Sequence, residues 1–297
     1  MNNDPARTAI ERGIRNPQLI EAAVAINEDR LHNAEPILRA HLKADPLDVA
    51  AIRLMAQLAA RVGRLKDSET LLRRALELAP GFLAARSNLA TILYRQNRFA
   101  EAVDTLDAVL GEDADHVASR NLKAAALGRI GDYDEALALY DELTRRFPTH
   151  AKLWMSQGHL LKTVGRLDDS IAAYRRALAE EPTLGEVYWS LANLKTVRFD
   201  KADLAAMQAA LATPGLSDED RFHLDFALGK AFDDARQPER AFGHYAAANA
   251  LRRKSLDYDA SVVTDHVDRI IARFTPDFIA NHSASLPTVG TYLDEMP

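Results

Sequence analysis

"GRLKDSETLLRRALELAP", residues 63–80, decides the fold. Its Gly63, Ser68, Leu72 and Pro80 each belong to a column that repeats along the chain every 34 residues. Pro46, Pro80, Pro148 and Pro182 stand 34, 68 and 34 residues apart, with Ala114 in the one gap. Units starting at Arg15, Val49, Leu83, Val117 and Ala151 place these prolines at position 32. Position 8 is then small throughout (Ala22, Ala56, Ala90, Ala124, Gly158), and so is position 20 (Ala34, Ser68, Ala102, Ala136, Ser170). Position 24 is large (Leu38, Leu72, Leu106, Tyr140, Tyr174). The turn at position 15 carries Gly63, Gly131 and Gly165, with Asp29 and Asn97 as residues that tolerate a left-handed backbone.

The columns have a mechanical meaning. Two antiparallel helices approach closely where small residues face each other, a large residue fills the space beside them, and proline ends the second helix. A Leu at Ala90 or Ala136 would overpack that contact at a cost of roughly 1–3 kcal/mol. The pattern resembles the tetratricopeptide repeat (TPR) over most of the chain. The resemblance implies an all-α, right-handed superhelical solenoid of about seven helix pairs plus a C-terminal helix.

Residues 1–14 read as a lead-in and 15–184 as five regular units. The ruler slips over 185–221, an irregular sixth pair, and returns for a seventh unit at 222–255, where Gly229, Ala241, Tyr245 and Ala248 fill positions 8, 20, 24 and 27. A last helix is expected within 256–280, with Val263, Val267, Ile270 and Ile271 as its apolar stripe and Pro276 closing it. A tail, 281–297, is expected to be disordered or truncated.

Composition agrees. Ala and Leu dominate and apolar residues reach 47%, enough for a core of packed helices. With no cysteine, disulfides and thiolate metal sites are excluded. The net charge of −6 argues against a nucleic-acid-binding chain, which needs a basic surface. The N-terminal stretch has no apolar segment of the secretory kind, and no window approaches 18 uninterrupted apolar residues. A cytoplasmic location is therefore expected.

Catalytic constellations are absent from the sequence. The nine histidines form no metal-ligand pair, His150 and His159, like His32 and His41, standing nine residues apart with none nearer, and no nucleophile elbow or phosphate loop occurs. No catalytic residue, cofactor or metal is expected. Function is sought instead on the concave face lined by first helices, at positions 2, 5, 9 and 12. The candidates are Arg53, Gln57, Asn88 (at the neighbouring position 6), Thr91, Tyr94, Asn121, Lys152, His159, Lys162, Trp189 and Asn193. Amides and cations there suit a peptide's carbonyls and carboxylates, and aromatics offer platforms. Arg53, Gln57 and Asn88 approximate half of the pattern by which some TPR domains clamp a chaperone's terminal carboxylate. Ala118 and Leu122 stand where that pattern needs cations, so this resemblance fails.

The stretches "EVYWSLANLKTVRFDKADLAAMQAAL", "RFHLDFALGKAFDDARQPERAFGHYAAANALRR" and "YDASVVTDHVDRIIARFTPDFIA", within 186–280, resemble the region before the catalytic domain of bacterial TPR-containing sulfotransferases. In that family a strand and a loop of the type V-G-M-P-R-S-G-T follow, holding the 5′-phosphate of 3′-phosphoadenosine-5′-phosphosulfate. Here only Val289–Gly290 echoes that loop, so no nucleotide-binding or base residue carries over. The primary expectation is a non-catalytic TPR scaffold that binds protein or peptide in its groove. The alternative is the substrate-presenting arm of a truncated TPR-sulfotransferase. Apolar residues near the end (Phe274, Phe278, Ile279, Leu286) suit a solenoid cap poorly, so self-association through that end is expected.

Overall fold

The computed structural model of the chain describes residues 10, 13, 15–254, 256 and 258–283. Every element in it is a helix, and the chain divides into two units, Met1–Leu216 and Ser217–Pro297.

The first unit is built from antiparallel pairs: α1 (Pro17–Asn27) with α2 (Leu31–Ala44), α3 (Val49–Arg61) with α4 (Leu65–Leu78), and α5 (Leu83–Arg95) with α6 (Phe99–Glu112). Then come α7 (Val117–Ile130) with α8 (Tyr133–Arg146) and α9 (Ala151–Thr163) with α10 (Leu167–Glu180), followed by α11 (Gly185–Asn193) and α12 (Lys201–Leu211). Each second helix packs on its own partner and on the first helix of the next pair, and successive first helices also touch one another.

The small columns lie at these contacts. Ala22, Ala56, Ala90 and Ala124 are fully buried, as are Ala34, Ser68, Ala102, Ala136 and Ser170 opposite them. The large column, Leu38 to Tyr174, is buried throughout. The turns between paired helices need a left-handed residue, and Asp29, Gly63, Asn97, Gly131 and Gly165 all have positive φ, from 60° to 101°. Entry into α3 is fixed by Asp48, whose carboxylate accepts from the amides of Ala50 and Ala51 at 2.9 and 3.1 Å. His41 holds the other oxygen at 2.9 Å.

The irregularity after Leu184 has a local cause. Helix α11 stops at Asn193, and Lys195 takes the left-handed conformation (φ 61°) in place of a glycine. The chain then restarts α12 with a capping box between Asp200 and Asp203. Arg175 of α10 donates to Asp203 at 2.8 Å.

The second unit contains α13 (Asp218–Asp234), α14 (Pro238–Lys254), α15 (Ala260–Arg273) and α16 (Pro276–Ser283). Helices α13 and α14 pair, with Ala241 and Ala248 buried and Arg236 in the turn at φ 57°. Two helices occupy the stretch where one was expected. Pro276 opens α16 rather than closing α15, because the first helical position has no amide hydrogen bond to lose. Val263, Val267, Ile270 and Ile271 line α15 and are exposed. From residue 284 the expected tail lies outside the described residues, as does the lead-in apart from residues 10 and 13.

Candidate functional site

Two clefts open beside the first helices of the first unit. The larger, about 300 Å³, is lined by Tyr94, Arg129, Tyr140, Ser156, His159 and Thr163, among others. The smaller, about 190 Å³, is lined by Gln57, Arg61, Ser68, Asn88, Thr91 and Arg95, with apolar neighbours. Of the sequence-predicted residues, Gln57, Asn88 and Thr91 thus meet in one cleft and Tyr94 and His159 in the other.

In the larger cleft the phenols are fixed from behind. Tyr140 is buried, and burial pushes its hydroxyl well above the ordinary phenol range, with the nearby Ser156 hydroxyl acting in the opposite direction. Tyr174 is also buried, which pushes it up to about 12, and its hydroxyl lies 2.7 Å from Nδ1 of His159. Nε2 of His159 faces a carboxylate oxygen of Glu186 at 3.4 Å, so the imidazole bridges a buried phenol to an exposed acid. On the opposite wall the Arg129 guanidinium lies 5.1 Å from the centroid of Phe99, whose ring meets Tyr94 edge-on at 5.2 Å.

In the smaller cleft Arg95 donates to the carbonyl of Ala60 at 3.0 Å, tying α5 to α3. Arg61 pairs with Asp29 at 3.1 Å. The Thr91 hydroxyl donates to the carbonyl of Ser87, so it presents only an acceptor to a ligand. Ser68 is fully buried behind the cleft, and its hydroxyl has no hydrogen-bond partner among the described residues.

The other candidates line neither cleft. Arg53 is half-buried one turn before Gln57, 6.0 Å from the Phe82 ring, with Nε buried and unpartnered; burial lowers its pKa. Asn121 is half-buried with its side-chain oxygen unpartnered. Lys152, Lys162 and Asn193 are exposed and Trp189 is half-buried.

Arg61, Arg95, Arg129, Tyr140 and Ser156 line the clefts without having been singled out from the sequence. Three of them carried a signal: Arg61, Arg95 and Arg129 recur at a spacing of 34 residues, all at position 13. Tyr140 fills space in the large column, and its phenol also reaches the cleft.

Among the described residues no cluster of His, Asp and Glu could hold a metal ion, and no helix is long and apolar enough to cross a membrane.

Residues 59–126 and 121–185 match family models described as tetratricopeptide repeat. A solved tetratricopeptide repeat protein from Parabacteroides merdae is 17% identical, with 87% of this chain and 97% of that one covered, at a TM-score of 0.56. Human IFIT1, solved as a dimer with PPP-AAAA, is 21% identical over 76% of this chain and 57% of its own, at 0.55. At such identities the likeness is one of fold. No curated protein matches the chain. Residues 59–185 are thus built of tetratricopeptide repeats, within a chain whose described elements are all helices.

Proposed function

We propose that the chain is a non-catalytic scaffold that binds an extended peptide segment of another protein along the face of α3, α5, α7 and α9. The observation that carries this reading is the pair of clefts on successive first helices. They are lined by amides, hydroxyls and guanidinium groups that can satisfy a peptide backbone, with Tyr94 as an apolar platform. The resemblance over 186–280 would make the same face the acceptor-presenting arm of a larger enzyme, and no residue of this chain receives a catalytic role on either reading.

The experiment is selection of a random peptide library on the purified chain. Affinities of enriched peptides are then measured on Asn88→Ala and Tyr94→Ala variants. Peptides that bind these variants as well as the parent chain would sink the reading. Self-association belongs to the same proposal: Val263, Val267, Ile270, Ile271 and Phe274 of the second unit are 44% to 66% exposed. Sedimentation of a clean monomer at high concentration would remove that part alone.

A further inference from the structure

First and second helices in the middle of the first unit carry opposite charge. Helices α3, α5, α7 and α9 hold nine Lys and Arg and no Asp or Glu. Helices α4, α6, α8 and α10 hold fourteen Asp and Glu against seven Lys and Arg. The net charge of −6 conceals this division.

Four of the nine cations are neutralised within the fold. Arg86 pairs with Glu112, Arg120 with Glu142, Lys123 with both Asp107 and Glu135, and Arg61 with Asp29. The remaining five, Arg53, Arg95, Arg129, Lys152 and Lys162, have no carboxylate within ion-pair distance among the described residues. They are distributed over all four first helices. Arg95 and Arg129 line the two clefts. Lys152 and Lys162 share the face of α9 that carries Ser156 and His159, at helical spacings of three and four residues. The buried Nε of Arg53 still lacks an acceptor.

Resting on the groove reading above, we infer that this face takes an acidic, extended segment of a partner protein. Neighbouring helices lie about 8–10 Å apart, and three residues of extended chain also span about 10 Å. A carboxylate at every third peptide position is therefore spaced to reach Arg95, Arg129 and Lys162, which stand at positions 13, 13 and 12 of three successive repeats. At physiological salt, interactions between exposed charges fade over about 8 Å, so the second-helix acids that make no ion pair with the first helices do little to cancel the field of the five unpaired cations. Single-stranded nucleic acid, the other polyanion, binds on runs of stacked aromatic platforms. Here the clefts offer a half-buried Tyr94 and a buried Tyr140.

The test is fluorescence anisotropy on the full chain with two labelled probes, a repeating Glu-Ser-Gly peptide and its Gln-Ser-Gly counterpart. The Glu probe is expected to bind about tenfold more tightly than the Gln probe, and to weaken as salt rises. Reversal of two exposed cations, Arg129→Glu with Lys162→Glu, weakens the Glu probe about tenfold, and the milder Gln pair weakens it less. Arg145→Glu on α8, also exposed, leaves it unchanged. Equal binding of the two probes overturns the acidic assignment while leaving a peptide groove standing. Binding of neither probe overturns it too, and the library selection then judges the groove independently. An equal loss in Arg145→Glu places the effect in overall charge, and tighter binding of polyuridylate gives the face to nucleic acid; both results overturn the inference.

Discussion

Gly158 lies directly beneath the ring of Tyr174, close enough that a β-carbon there would sit 2.6 Å from Cε1 and 2.7 Å from Cδ1. The same relation recurs in the second unit, where a β-carbon on Gly229 would sit 2.6 Å from Cε1 of Tyr245. Elsewhere the pairing is Ala56 with Leu72 or Ala90 with Leu106, and Ala124 stands with Tyr140, so glycine answers to where the ring lies rather than to the presence of a tyrosine alone. Glycine inside a helix costs about 1 kcal/mol relative to alanine, and here the ring above it accounts for that choice.

Gly158→Ala gains helix propensity but drives a methyl into a ring that is itself fully buried and cannot retreat. Overpacking of roughly 1–3 kcal/mol outweighs the gain. The double variant with Tyr174→Leu, which recreates the Ala–Leu pairing, is expected to recover stability relative to the sum of the single changes. Urea denaturation of the four-member cycle measures that coupling. Additive losses would show that the two residues do not constrain each other.

Ala90→Leu places an isobutyl group where the native methyl is fully buried between α5 and α6. A loss of roughly 1–3 kcal/mol is expected. Thr91→Leu, on the exposed neighbour, should change stability by less than about 0.5 kcal/mol. Equal losses in the two variants would contradict the burial of the column.

Lys195 and Arg236 occupy left-handed backbone at φ 61° and 57°, where glycine stands in three of the regular turns. The left-handed region strains an L-residue by about 1–2 kcal/mol, while glycine adds unfolded-state entropy of about 0.5–1 kcal/mol. Lys195→Gly and Arg236→Gly should therefore each raise the melting temperature slightly, and a clear drop in either would refute the strain.

Burial raises Tyr174 to about 12 and raises Tyr140 further, against 10.0 for a free phenol. Between those values the unfolded chain has already released phenolic protons that the folded chain retains. Stability is thus fully present below pH 10 and falls as pH rises through the folded values. Tyr140→Phe and Tyr174→Phe should flatten that alkaline decline, read as the urea midpoint against pH and as phenolate absorbance. An unchanged slope in the double variant would exclude these two groups as its source.

The fold was legible because its constraints are local and repeat at one spacing. Each of Gly63, Ser68, Leu72 and Pro80 meets its demand within its own helix pair, so the demand reappears as a column. The site was legible only in part. Periodicity placed Gln57, Asn88, Thr91, Tyr94 and His159 on the face that holds the clefts. It could not tell that the Thr91 hydroxyl already serves the Ser87 carbonyl, nor that Lys152 and Lys162 stand clear of either cleft wall. Those facts depend on side-chain reach and competing acceptors. The charge division was present in the helix sequences all along, hidden by adding the whole chain into one number.

Because each pair in the first unit leans on its immediate neighbours, it behaves as a sum of links rather than as a single vault. A substitution deep in α3 and α4 is felt by α1, α2, α5 and α6, and has no direct route to α9. On the groove reading proposed above, one cleft can therefore change while the other keeps its shape, and the two ends of the proposed segment would evolve as separate words of one address.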